Sequence, residues 1–236
     1  MSQPSILASP RPGASDGRAP ITLIRPTQAT VGFAEVAAKR RRYRAAWEAG
    51  RHGEILERAF PVVVGPGGDL YALDGHHWMR ALEEEGVETA RVTVVGDFRR
   101  LSIEAFWAAL ESKDLCHPYD GRGQRIAFEQ IPATVAGLAD DPFRSLAATL
   151  RRMGAVGKSH APFGEFRCAG CLRARIPDDL ARNDYPAALA EALRLARNVA
   201  EEIGGLPCGR RRRWPAKSSR GRCAVSAGRE RTGARR

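Results

Sequence analysis

Between Ile21 and Arg25, β-branched and apolar residues alternate with others, which predicts a short strand that Pro26 ends. From Val31 to Ala49 the apolar positions shift to spacings of three and four. Phe33, Val36, Ala37, Tyr43 and Trp47 then predict a helix. Pro61 to Gly65 is strand-like again, Gly65-Pro66-Gly67-Gly68 is a turn, and Leu70 to Leu73 returns as the second arm of a hairpin. Asp74-Gly75 breaks that arm. His76 to Glu85 predicts a helix that Gly86 stops in a left-handed cap, and Ala90 to Val95 is a third strand. Further on, the pattern is helical. Ser102 caps a helix with Glu104 in its first turn and Phe106, Trp107 and Leu110 behind it. A polar loop follows over Leu115 to Arg125. Asp141-Pro142 opens another helix, striped by Phe143, Leu146, Ala147, Leu150 and Met153 and stopped at Gly154. Two more helices are expected, over Phe163 to Ile176 and Tyr185 to Ile203. The fold class is α/β (α+β): a small mixed sheet with helices over 21–100, then a helical part of the same domain over 101–206.

Composition adds two ends to this core. The chain has 236 residues and is 43% apolar, enough for one ordinary domain or two small ones. Residues 1–20 are rich in Pro, Ser, Gly and Ala and lack an apolar h-region, so a disordered leader is expected rather than a secretory signal. Net charge is +11, which points to nucleic acid until it is located. Residues 208–236 hold eleven Arg or Lys and one Glu, leaving 27 basic and 26 acidic residues in 1–207. The body is therefore near neutral, and 207–236 is expected to be a basic, disordered tail able to meet phosphates without specificity. The abrupt change after Leu206 also suits an end read in a different frame. Five irregularly spaced cysteines fit a reducing, cytoplasmic setting. Cys168-Ala169-Gly170-Cys171 has C-x-x-C spacing but no second pair of ligands, so packing is the expected role. No run of about 18 apolar residues occurs, so no membrane span is expected.

The chemistry concentrates at Asp74 to Arg80. A strand that enters a helix through a tight glycine turn leaves backbone N–H groups free at the helix start, and the dipole there favours an anion. Gly75 permits close approach. His76 and His77 fall in the first turn, and Arg80 shares a helix face with either. A guanidinium can hold a phosphate through two hydrogen bonds, and a histidine can move a proton or bind a metal. Asp74 could orient a histidine, hold a divalent cation with His76, or merely cap the helix. Elsewhere, Lys39 lies in the basic run Lys39 to Arg44, which is either a solvated face or a phosphate contact. His117 and Asp120 share the polar loop, where Asp120-Gly121 is also a turn signal. Lys158 and Glu165 complete the candidates: the first is a phosphate contact or a plain solvated lysine, the second a general base or part of a capped helix start after Pro162.

The stretch Phe60-Pro61-Val62-Val63-Val64, through Leu73-Asp74-Gly75-His76-His77-Trp78-Met79-Arg80-Ala81, to Val92-Thr93-Val94-Val95 resembles the N-terminal domain of the ParB/sulfiredoxin superfamily. The paired histidines place the similarity closest to its ParB-like nuclease branch. Arg25-Pro26-Thr27-Gln28 resembles that branch's opening motif. His117-Pro118-Tyr119-Asp120, Asp140 through Leu146, and Pro162 through Phe166 resemble later ones, so the likeness spans about 21–205. Gly75 keeps the glycine of the family's Gly-Glu-Arg-Arg turn. His76, His77 and Trp78 replace the next three residues, and no cysteine stands in the turn as in sulfiredoxin. The resemblance implies a nuclease or nucleotide phosphohydrolase. In it His76, His77 and Asp74 are catalytic, Gly75, Arg80, Lys158, Gln28 and Lys39 bind phosphate, and His117, Asp120 and Glu165 support them. A divalent cation (Mg or Mn) and a nucleotide are the implied cofactors, and a nucleotide or nucleic acid the partner, with a homo-oligomer left open. The alternative is a non-catalytic nucleotide- or DNA-binding switch, and a third reading is a scaffold whose tail alone meets nucleic acid.

Overall fold

The computed structural model describes residues 16–157 and 164–204. In chain order the elements are β1 (Asp16–Pro20), β2 (Ile24–Pro26), β3 (Thr30–Val31), α1 (Phe33–Glu48), α2 (Gly53–Leu56), β4 (Phe60–Val64), β5 (Leu70–Ala72), α3 (His76–Glu84), β6 (Thr89–Asp97), α4 (Ile103–Glu111), β7 (Ala139–Asp140), α5 (Pro142–Arg152), α6 (Gly164–Arg173), α7 (Asp178–Asn183) and α8 (Tyr185–Glu202). The α/β expectation holds. A five-stranded mixed sheet runs β1-β6-β4-β5-β2, and β3 pairs with β7 apart from it.

Because side chains alternate along a strand, the sheet feeds two cores. Phe60 and Val62 pack with Ile21, Ile24, Met79 and Leu82 beneath α1 and α3. Val63 and Tyr71 face the other way, onto Phe98, Phe106, Trp107 and Leu110 of the α4 side. The helical half has its own core, with Phe143, Leu146 and Leu150 of α5 against Leu172 and Val199. β4 and β5 form the expected antiparallel hairpin, and β6 joins β4 in parallel with a register shift between Val62 and Val63.

The local stop and start signals act as the pattern predicts. Ser102 Oγ accepts the Ala105 N–H, and Asp141 Oδ1 accepts the Phe143 N–H. At Gly86 the left-handed backbone (φ 77°) lets the Val87 and Gly86 N–H groups reach the carbonyls of Leu82 and Glu83, which ends α3. Two expectations need correction. Ile21 to Arg25 is not one strand: Ile21–Leu23 forms a 3-10 turn and only Ile24–Pro26 pairs, in parallel with β5. Residues 16–20, expected in a disordered leader, form an edge strand antiparallel to β6, held by ion pairs Asp16–Arg91 and Arg18–Glu57. Residues 1–15 and the basic tail lie outside the described residues. Cys168 is buried in the helical core, and Cys171 Sγ donates to Glu202, an arrangement in keeping with packing. Among the described residues no helix is long and apolar enough to cross a membrane.

Candidate phosphate-binding site

The turn before α3 is built around Gly75. Its backbone is left-handed (φ 86°), and a Cβ there would lie 2.3 Å from Cδ1 of Phe60, so only glycine fits. Asp74 does not cap α3: its Oδ1 accepts the Gly75 N–H at 2.7 Å. Gly75 is the N-cap residue and makes no side-chain cap, while its carbonyl takes the Trp78 and Met79 N–H groups.

Both histidines are buried and both act as acceptors. His76 Nε2 receives the Thr27 N–H at 3.2 Å, while the ring bonds the Ala72 backbone on its other side. His77 Nε2 receives the Gly32 N–H at 3.0 Å. An accepting Nε2 assigns the proton to Nδ1, so each ring is neutral. Burial, with the Arg144 charge second, pushes His76 down to about 3 and His77 well below its usual range. The pair thus ties residues 27–32 to α3. Gly32 N–H, Phe33 N–H and Ala34 N–H go to His77, Asp140 and Ser145 respectively, so α1 is capped by side chains from α3, β7 and α5. Gly32 also has to be glycine, because Ser145 leaves no room for a Cβ.

These elements enclose a polar cavity of about 270 Å³. Gln28, Asp74, His76, His77, His117 and Glu165, distant in sequence and all singled out from it, line this one space. Arg144 and Arg151 line it as well, and neither was foreseen. Arg144 is only 4% exposed. One nitrogen of its guanidinium donates to the Thr30 carbonyl at 2.6 Å, the group lies 4.0 Å from the Phe166 ring centre, and Nε has no hydrogen-bond partner. Burial lowers its pKa, offset in part by the charges of Glu165, Asp141 and Asp74, but only to about 10. It is therefore a buried cation at neutral pH, and among the described residues it has no ion-pair partner. Arg151, two helical turns on and so on the same face of α5, pairs with Glu165 at 2.6 Å. His117 packs at a tilt of 46° against Phe166 with ring centres 3.8 Å apart, and burial followed by the Arg144 and Arg173 charges lowers it to about 3.

Other candidates lie elsewhere. Arg80 turns away to Glu84 at 2.6 Å and to the carbonyls of Val135 and Ala136. Lys39 pairs with Glu35 at 2.6 Å, and Arg40 and Arg44 pair with Glu85, so the basic run largely ties α1 to its own face and to α3. Asp120 accepts the Arg122 and Gln124 N–H groups, which is turn chemistry. Lys158 lies outside the described residues. Asp74 and His76 make a poor cation site. The Nε2 lone pair of His76 is taken by Thr27, and among the described residues no three His, Cys, Asp or Glu converge. A larger cavity, about 640 Å³, lies between the end of β6 and α4. It is lined by Arg100 and Lys113 and by Asp97 and Arg99, which pair with each other in the open, and it contains none of the residues singled out from the sequence.

The family described as "Putative ParB-like nuclease" matches residues 18–174. The chain belongs to this ParB-like family, as the Asp74–Arg80 turn led one to expect. The crystal structure of protein Atu1540 from Agrobacterium tumefaciens is 38% identical, covers 82% of this chain and 98% of its own, and superposes with a TM-score of 0.73. The crystal structure of the C-terminally truncated chromosome-partitioning protein ParB from Caulobacter crescentus, complexed with CTP-gamma-S, is 13% identical over 78% of this chain and 98% of that one, with a TM-score of 0.28. No curated protein matches the chain.

Proposed function

We propose that the cavity binds a phosphate of a nucleotide or nucleic acid, and that Arg144 is the side chain that neutralises it. The observation that carries this reading is a buried guanidinium that has no ion-pair partner among the described residues and an unpartnered Nε, in a cavity that the first residues of α3 also line. A buried charge without a counter-ion is costly, and an anion entering the cavity removes that cost. The dipole of α3 adds to the attraction. The three neutral histidines contribute no charge of their own.

Binding is supported better than turnover. The Nε2 atoms of His76 and His77 are engaged by backbone N–H groups, so neither ring is poised for proton transfer through that nitrogen. If the phosphate ester is hydrolysed, as the family's name implies, the carboxylates of Asp74 and Glu165 are the groups in the cavity left to activate water. A divalent cation would then arrive with the ligand's phosphates rather than reside on Asp74 and His76. The test is a thermal-shift screen with inorganic phosphate, nucleotides and short oligonucleotides, each with and without Mg²⁺ or Mn²⁺, followed by product analysis. A ligand that binds the native state raises its melting temperature. Stabilisation of the wild type that Arg144→Met abolishes is the expected result; stabilisation that survives Arg144→Met would overturn the assignment. Repeating the screen on a chain cut after Leu206 separates this site from phosphate contacts made by the tail.

A further inference from the structure

The cavity holds a second guanidinium, and it is already occupied. Arg151 lines the same space as Arg144, but its one ion-pair partner among the described residues is Glu165, at 2.6 Å. The two residues of this pair also line a neighbouring cavity of about 90 Å³ walled by Ala147, Val156, Cys168 and Ile203. The pair therefore stands as the partition between two spaces, with room on either side. Arg151 is half exposed (51%), so packing does not fix its side chain. Its charge nevertheless reaches the buried His77, and the Glu165 charge reaches Arg144. Spacing puts Arg144 and Arg151 on one face of α5, the arrangement that lets two guanidiniums close on one anion.

We infer that Arg151 is a second anion-binding side chain of this cavity, and that Glu165 is a built-in competitor that holds it until a phosphate arrives. This rests on the cavity being a phosphate site. Phosphate and the Glu165 carboxylate compete for the same guanidinium. Binding thus requires one exchange: Arg151 leaves Glu165 and closes on the phosphate, while Glu165 turns to solvent or to the smaller cavity. Phosphate in its dianionic form, which needs two cations, is the ligand such a device selects. A half-exposed pair holds its partners weakly, so the competition is a few-fold effect rather than a block.

The experiment is a titration with inorganic phosphate at pH 8, where phosphate is a dianion, on the full chain and on Glu165→Gln, Arg151→Ala, the double variant and Arg144→Met. Glu165→Gln should bind phosphate about three- to fivefold more tightly than wild type, on the scale of an exposed ion pair. Arg151→Ala should bind it more weakly, and adding Glu165→Gln to Arg151→Ala should change little. Unchanged or weaker binding by Glu165→Gln overturns the inference. So does an equal gain in the Arg151→Ala background, because Glu165 would then act by plain repulsion. If wild type binds and Arg144→Met does not, yet Glu165→Gln gains nothing, only the competitor is lost. If wild type does not bind phosphate, both the site and the competitor fall. Melting temperatures without phosphate check that each variant is folded.

Discussion

Arg144→Met should leave the ligand-free protein as stable as the wild type or slightly more so, although it deletes most of a polar side chain from a site only 4% exposed. Burial holds the guanidinium's pKa well below its ordinary value, at about 10. That shift corresponds to a penalty of about 3 kcal/mol on the charged form. The penalty is fully present below about pH 10 and fades only at higher pH, so neutral pH carries all of it. Methionine fills similar space and carries no charge. Its losses are one charged hydrogen bond to Thr30, about 1.5 kcal/mol, and the contact with Phe166, about 1 kcal/mol. The Thr30 carbonyl is not orphaned, because Gln28 Nε2 donates to it at 2.7 Å. The balance is a gain of about 0.5 kcal/mol, or a rise of about 1–2 °C in melting temperature for a domain of this size. Urea unfolding at pH 7.5 with equal slopes for the two proteins is the assay. A loss above about 2 kcal/mol would refute the reasoning, since it would mean that Arg144 is a structural support with a compensation not identified among the described residues. Phosphate should reverse the order of stability, because only the wild type gains from it.

Acid should weaken the fold well above the carboxylate range. Burial holds His76 and His117 neutral in the folded state down to about pH 3 and His77 well below its usual range, while their unfolded counterparts take up protons below 6.5. Stability present above pH 6.5 is therefore lost as pH falls, by about 1.4 kcal/mol per pH unit for each histidine. Urea midpoints that do not move between pH 7 and 5 would contradict this. Gly75→Ala should destabilise by about 3 kcal/mol or more, from its left-handed backbone and the contact with the buried Phe60, read as a lowered urea midpoint. Arg80→Ala should lower stability by about 1 kcal/mol yet leave the phosphate affinity unchanged, because its partners are Glu84 and two carbonyls outside the cavity; a tenfold loss of affinity would return it to the site.

The strand–turn–strand–turn–helix–strand unit was legible because its signals are local: a β-branched run at Val62 to Val64, glycines at the turns, and a left-handed stop at Gly86. Ser102 and Asp141-Pro142 were legible for the same reason. The edge strand Asp16–Pro20 was not, because its residues resemble a linker and only pairing with β6 makes them a strand. The short helices α2 and α7 carry too few turns to show a period. Of the residues singled out from the sequence, Gln28, Asp74, His76, His77, His117 and Glu165 share one cavity, whereas Arg80 points away and Arg144 and Arg151 are the guanidiniums that line it. Arg80 shares a helix face with His76, yet a long side chain takes whichever carbonyls lie in reach, here those of Val135 and Ala136. Arg144 stood within a family motif between the apolar Phe143 and Leu146. Its burial against Phe166, with no ion pair to it among the described residues, is a tertiary outcome that no local pattern encodes. Its seven-residue spacing from Arg151 was the available clue. The histidines suggested proton transfer because their acceptors' partners, Thr27 and Gly32, are 49 and 45 residues away.

The way α1 begins bears on how the chain reaches this structure. Its first three N–H groups are satisfied by residues 45, 107 and 111 positions distant. A helix anchored in that way has no local side-chain cap at its start: the Gly32 carbonyl takes the Glu35 and Val36 N–H groups, but Gly32 has no side chain to offer the first turn. Its opening turn has to wait until α3, β7 and α5 have arrived. Substitutions at His77, Asp140 or Ser145 should then speed unfolding while leaving the folding rate nearly untouched. The same dependence fuses the sheet half and the helical half into one cooperative unit: to fray the start of α1 is to open the wall of the cavity and to separate the two halves at once.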